Sequence, residues 1–307
     1  MPRLSFYIFL ALSFANLFTA RCWVHELLVN LSPLFLIIHI VTLPVVIQLS
    51  RKNFLRGGIC GLLSCIMIYS YSKPLGNYFL SGEASLQTGA KISIAVIEGF
   101  STNADVADVV KNKSADLFII ASGGPYKISA ARFGRKFSFK RELEILDRHY
   151  LVLSNLEVSN AGYKFLVDGG PPIYSAQFAK EKAGEFKLYV AGANIPFDQD
   201  SFFLKKLLTR RLATMLRHSE FPLVLVADLK ATPYSRFYRI IQDGGRLNDL
   251  YFGSGSKEFT GALKQLFKLS ALRVLYGRGL AAVNKRFDSL GERSIKYLEF
   301  ETKIPGE

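Results

Sequence analysis

The chain has 307 residues, half of them apolar, with 39 basic against 25 acidic side chains and a formal net charge of +14. That length holds one large domain or two small ones, and the charge excess disfavours cationic partners and points to anionic ones: lipid head groups, nucleic acid or phosphorylated small molecules. The three cysteines, Cys22, Cys60 and Cys65, lie in or beside the apolar front of the chain, which excludes a disulfide framework or a cysteine-based metal site downstream.

Three uncharged runs come first, at residues 4–20, 27–50 and 57–72. A membrane-spanning helix needs roughly 17–25 apolar residues. The second run satisfies this, while the first and third are marginal by length. The first run also fits a signal peptide with Arg3 as its basic start, although Ala20-Arg21-Cys22 is a poor cleavage site. Three spans is the preferred reading. The 51–56 loop carries Arg51, Lys52 and Arg56, whereas the loop near 21–26 has Arg21 offset by Glu26. The positive-inside rule therefore makes the 51–56 loop cytoplasmic and puts everything after about residue 75 across the membrane.

Residues 73–90 are rich in Gly, Ser and Pro and read as a linker. The expected organisation is a membrane region at 1–75, a linker at 76–90 and a domain at 91–302. Within that domain strands and helices alternate. Lys91–Val96 has strand periodicity, Asn103–Asn112 reads as a short helix with Asn103 as N-cap, and Leu117–Ile120 is an apolar strand broken by Gly123-Gly124-Pro125. A basic, aromatic stretch at 130–143 follows. Its cluster of Arg132, Arg135, Lys136, Lys140 and Arg141 is interleaved with Phe133, Phe137 and Phe139. Two readings stay open for it: a face on anionic lipid, or a solvated loop whose Phe residues are core. Short strands are expected at Tyr150–Leu153, Lys164–Val167 and Lys187–Ala191. An amphipathic helix opened by Asp200 and Ser201 runs to about Arg217. The tail has weaker strands near 272–276, 280–283 and 294–301. His149 and His218 stand alone in charged surroundings and read as surface residues.

The segment LVLVADLKATPYSRFYRIIQDGGRLND, 223–249, is the most informative. A strand ends on Asp228, a turn with Pro233 follows, and a helix-like run near 234–243 closes it. It resembles the strand–turn–helix that carries GDFNATP in the endonuclease/exonuclease/phosphatase (DNase I-like) superfamily, and in particular the bacterial branch with N-terminal membrane spans. The resemblance implies an α/β fold, a four-layer α/β/β/α sandwich preceded by transmembrane helices, and a bacterial inner-membrane protein whose domain is periplasmic. In the family, Mg2+ sits on acidic strand ends and a Ser-Asp-His supplies the general base.

Laid on that pattern, the chain departs from it almost everywhere. Asp228 keeps its place, but the Asn two residues on is Lys230. Glu98 stands where an Asn is expected and Ser122 where the main Mg2+ ligand, a Glu, is expected. Gly192 and Asn194 fall on the Asn-x-His strand, and Arg293 and Ser294 on the closing Ser-Asp-His. No carboxylate is left at Ser122 and no histidine base at Ser294. A lysine near the metal position opposes a divalent ion by electrostatics. The expectation is a catalytically impaired protein without cofactor, in which Glu98 and Asp228 pair with Lys230 and Arg293. It would bind a phosphorylated ligand, a lipid surface or a protein partner, with Lys230, Arg293 and Asn194 as phosphate donors. Two alternatives stand beside it: a divergent Mg2+-dependent phosphodiesterase, phosphatase or nuclease with Glu98 and Asp228 as ligands, and a structural envelope protein.

Overall fold

Two six-stranded sheets stack face to face in a computed structural model that describes residues 22–50, 58–59, 61–69, 72, 90–98, 103–123, 127–181, 184–250, 272–277, 280–290 and 295–304. The first sheet contains β1 (Ala90–Glu98), β2 (Leu117–Gly123), β3 (Phe139–Ile145), β4 (Arg148–Ser154), β11 (Ala281–Leu290) and β12 (Ile295–Ile304), in the order β11-β12-β1-β2-β4-β3. The second contains β5 (Glu157–Lys164), β6 (Ile173–Lys180), β7 (Gly184–Gly192), β8 (Leu223–Asp228), β9 (Asn248–Asp249) and β10 (Leu272–Tyr276), in the order β5-β6-β7-β8-β10-β9. In each sheet one central pair is parallel, β1 with β2 and β7 with β8, and its neighbours are antiparallel.

Alternation along β1 explains the layering. Ile92, Ile94 and Val96 join the large core shared with β6, β7, β8 and β10. Ala95 and Ile97 face the other way, into a smaller cluster with Val106 and Val110 of helix α3 (Asn103–Asn112). Two helices, α4 (Gln199–Arg217) and α5 (Arg236–Gly245), add Leu208, Leu212, Leu216, Tyr238 and Ile241 to the large core. Because side chains alternate across a strand, a strand buried on both faces reads as a continuous apolar run, as β8 does up to Asp228. All six positions of β8 are buried.

The N-terminal region is helical where it is described. Helix α1 (Trp23–Asn30) is followed by α2 (Ser32–Ser50), which contains Pro44. Three membrane spans are expected from composition. Among the described residues, however, no single helix is long and apolar enough to cross a membrane, and the pair Trp23–Asn30 and Leu34–Val41, bent by 57°, meets that test only together. The run 4–20 lies outside the described residues. Val29, Phe35, Leu36 and Met67 pack into the large core, so this region is joined to the domain rather than held away from it.

Three elements differ from their sequence expectation. Strand β3 forms in the basic stretch, as an antiparallel edge strand on β4. Strand β6 forms where none is expected, because its buried run includes Ser175, Ala176 and Gln177, small or polar residues that dilute the apolar signal. The strand expected at Lys164–Val167 lies earlier, at Glu157–Lys164. That edge strand is largely exposed, and the chain after it turns on a Gly170 N–H donated to the Val167 carbonyl at 3.0 Å.

Candidate functional site

At the ends of β1, β4 and β8 three charged side chains from both sheets meet. Arg148 opens β4, Glu98 closes β1 and Asp228 closes β8. The Arg148 guanidinium lies between the two acids. Its Nε donates to Asp228 Oδ2, and its Nη1 donates to Glu98 Oε1 at 3.1 Å. Arg148 and Asp228 are buried, with 6% and 2% of their surface exposed. The planar fork of an arginine suits two carboxylates approaching from different directions better than a lysine does. Burial works against the Arg148 charge, but Asp228 and then Glu98 outweigh it and hold the guanidinium pKa above its ordinary value. Glu98 also accepts the Leu272 amide of β10 at 3.3 Å, which ties the two sheets together at this edge.

Lys230 approaches the same acid from outside. Its ammonium lies 3.0 Å from Asp228 Oδ2 and 3.2 Å from Asp147 Oδ2, and its own amide donates to Asp228 Oδ1 at 3.3 Å. Its backbone is left-handed, with φ 45°. The Lys205 ammonium of α4 donates to the Lys230 carbonyl at 3.2 Å and so holds that turn from behind.

A two-residue turn delivers Arg148. Ile145 pairs with Arg148, leaving Leu146 and Asp147 as the loop between β3 and β4, with Leu146 at φ 58°. The hairpin tip can lie across the site because Gly192, at the end of β7 and paired with Asp228, has no side chain. A Cβ there would meet Ile145 Cγ2 at 3.0 Å and Leu146 Cδ1 at 3.1 Å. The position that carries a phosphate-contacting strand end in the resemblance is thus used here for close approach of a hairpin.

The remaining expected residues are placed differently. Ser122 is buried at the end of β2, and its hydroxyl donates to the His149 carbonyl at 3.4 Å, turned into its own sheet. Asn194 is exposed beyond the end of β7. Arg293 and Ser294 lie outside the described residues, so the partner expected for Glu98 and Asp228 at Arg293 is not described there. Arg148 takes the place between them. Nothing in its own segment marks it, because its neighbours in the chain, Asp147 and His149, make it look like one charge in a surface turn.

In the basic stretch Arg132, Arg135, Lys136 and Arg141 are exposed, and Lys140 is half-buried. Phe133 and Phe137 are buried in the α3 cluster, and Phe139 packs edge-on against Phe178 at 5.8 Å. The Phe residues therefore belong to the core, and Lys136 anchors its loop by donating to the Val110 carbonyl at 2.9 Å.

No protein-family model matches the chain, and no curated protein matches it by sequence. Solved structures do. The human Nocturnin catalytic domain with bound sulfate has a TM-score of 0.50 at 10% identity, over 73% of this chain and 100% of that one. The fold is that of the endonuclease/exonuclease/phosphatase (DNase I-like) proteins. An endonuclease/exonuclease/phosphatase from Beutenbergia cavernae matches with a TM-score of 0.49 at 12% identity, over 70% and 72% of the two chains. A family protein from Bacteroides thetaiotaomicron gives 0.47 at 10% identity, over 72% and 100%.

Magnesium, which this fold implies, fits the residues present poorly. Mg2+ wants near-octahedral oxygen ligands at short distance. Glu98 and Asp228 are the two carboxylates at the strand ends, and both carry Arg148. The third position offers the Ser122 hydroxyl, already donated to a carbonyl. No cluster of three or more His, Cys, Asp or Glu side chains suited to a metal occurs among the described residues. The space between the acids is filled by a fixed cation.

Proposed function

We propose that the chain is a membrane-tethered domain of this fold in which an internal ion-pair network replaces the metal, so that it binds a phosphate-bearing ligand without hydrolysing it. That ligand is an anionic lipid head group or a soluble phosphorylated molecule. The observation that carries this reading is the Arg148 guanidinium between Glu98 and Asp228. Two unit charges about 4 Å apart repel by roughly 4 kcal/mol at an effective dielectric of about 20, and a divalent ion would feel about twice that from each neighbouring cation. Arg148 and Lys230 both stand beside Asp228, and arginine stays protonated at any physiological pH. The missing histidine base removes the usual means of activating water.

Three observations support tethering and an anionic ligand. The stretches at 27–50 and 57–72 carry no charge. Helix α1 touches the domain through the Asn30–Thr232 hydrogen bonds, so the chain entering these stretches is held beside it. Arg132, Arg135 and Arg141 point to solvent while their neighbouring rings are core, which suits an electrostatic contact with anionic head groups better than an inserted aromatic one.

A divergent Mg2+-dependent phosphoesterase remains the rival, because Glu98 and Asp228 converge from two sheets on one cation-sized space. Calorimetric titration of the full chain in detergent micelles with Mg2+ and Mn2+ separates the two. The expected result is no saturable binding in the native protein and its appearance in Arg148→Ala, where two carboxylates are left facing each other. Saturable binding in the native chain, lost in Asp228→Ala and accompanied by metal-dependent cleavage of bis-p-nitrophenyl phosphate, would establish the enzyme reading. Nanodiscs of anionic or zwitterionic lipid, compared over a salt series and against inorganic phosphate, distinguish the two ligand sources. Indifference to both leaves a structural envelope protein.

A further inference from the structure

Glu26 is the one acidic residue among the first 79 of the chain. It is fully buried against the domain, not exposed in a loop. Its carboxylate accepts the Ser235 hydroxyl, the N-cap of α5. One turn further along α1, Asn30 Oδ1 accepts both the Thr232 amide at 2.8 Å and the Thr232 hydroxyl at 2.9 Å, while its amide nitrogen returns to the Glu26 carbonyl at 3.0 Å. Thr232, Ser235 and Lys205 are themselves buried. The spacing of four residues puts Glu26 and Asn30 on one face of α1, and that face is the polar one.

We propose that α1 is a docking latch for the loop after β8, with Glu26 and Asn30 as positioning residues that hold the turn carrying Lys230 in place. The path is short. Asn30 fixes Thr232, two residues from Lys230. Glu26 acts electrostatically on Lys205, whose ammonium donates to the Lys230 carbonyl at 3.2 Å and lies 5.0 Å from the Phe237 ring centroid. Lys230 in turn touches Asp228. A lysine in the left-handed region is disfavoured on its own, so φ 45° at Lys230 needs such outside support. Buried side-chain acceptors are what a segment that docks specifically requires, because an apolar face alone can slide. Neither the binding reading nor the enzyme reading is needed for the latch.

The test uses the full chain in micelles, with Cys22, Cys60 and Cys65 replaced by Ser. Asn30→Cys with Thr232→Cys is expected to cross-link under mild oxidation. Asn30→Cys with Tyr163→Cys, on the exposed edge strand β5, is expected not to. Hydrogen exchange gives the second readout. Asn30→Ala is expected to speed exchange of the Thr232 amide at least tenfold, with Asn30→Asp restoring protection and the β2 amides unchanged. Glu26→Ala is expected to raise the acetylation rate of Lys205 and Lys230 several-fold together. Absence of the cross-link in a protein whose circular dichroism is native overturns the latch. So does unchanged exchange across 229–236 in both Asn30→Ala and Glu26→Ala, whatever the metal titration gives.

Discussion

Two acid–base clusters among the described residues are joined through Lys230, and they are built on different plans. At the strand ends Glu98 and Asp228 share the Arg148 guanidinium, and Lys230 adds a second cation near the rim, where Asp147 is largely exposed. Behind the loop, Glu26 accepts the Ser235 hydroxyl, Asn30 accepts the Thr232 amide and hydroxyl, and Glu26 acts electrostatically on Lys205, all of them buried. The first cluster is multiply paired and joins two sheets. The second joins a helix to a loop and sets one acid and one base in a dry setting. Removing one partner of a buried pair strands the other charge, whereas removing both can be neutral. The number of alternative partners should therefore decide how each cluster fails.

The largest effect is expected at Arg148. Arg148→Ala leaves two carboxylates without the cation they share, and about 3–5 kcal/mol of stability is expected to go. The triple variant Arg148→Met, Glu98→Gln, Asp228→Asn is expected to recover most of it in urea unfolding. A triple variant as unstable as the single one would mean that shape rather than charge sets the cost.

Lys205→Met comes next, at about 3 kcal/mol, with Glu26→Gln in the same chain returning stability to within about 1 kcal/mol of native. Burial lowers the Lys205 ammonium pKa to about 8 from the ordinary 10.5, against the opposing pull of Glu26 and then Asp228. Between those values the unfolded chain holds a proton that the folded chain has released. Stability should therefore rise with pH across that window, and its lysine contribution should be flat below it. The rise is expected to vanish in Lys205→Met. If it persists there, another group is responsible.

Gly192→Ala tests how the strand-end cluster is assembled. The added methyl must push back Ile145 and Leu146 at the hairpin tip, and overpacking of this kind costs about 1–3 kcal/mol. The sharper readout is local: exchange of the Arg148 amide should quicken while α1 keeps its protection. Equal loosening at both clusters would show that they are one cooperative unit.

What could be read in the residues divides along the same line. The unbroken apolar run of β8 ending on Asp228, the amphipathic α4 and the one-faced α3 follow from local periodicity, while the fold itself was legible only through the resemblance of 223–249. Arg148 could not be found that way. Its partners stand 50 and 80 residues away, and only the antiparallel pairing of β2 with β4 and the two-residue turn bring it to them. Glu26 was hidden for a similar reason. It reads as a loop charge beside an apolar run, and nothing in its own segment shows that Ser235 awaits it. Lys230 pairs with Asp228 as the sequence suggests, while Arg148 stands between the two acids.

Lys230 gives the smallest effect and the finest comparison, because two forces act on it in opposite directions. Its ion pair with the exposed Asp147 is worth about 0–1 kcal/mol, as surface pairs are. The contact with Asp228 is more buried, but Arg148 already serves that acid. Against these stands the left-handed backbone, which costs a non-glycine residue about 1–2 kcal/mol. Lys230→Ala loses the pairs and keeps the strain, while Lys230→Gly loses the pairs and sheds it. The glycine variant should therefore be more stable than the alanine variant by about 1 kcal/mol, and close to native. If α1 supplies the support that holds this turn, the same gap should widen in an Asn30→Ala background. A gap of zero in both backgrounds would mean that the turn relaxes to negative φ once the lysine is gone, and that the latch bears on the loop without setting its conformation.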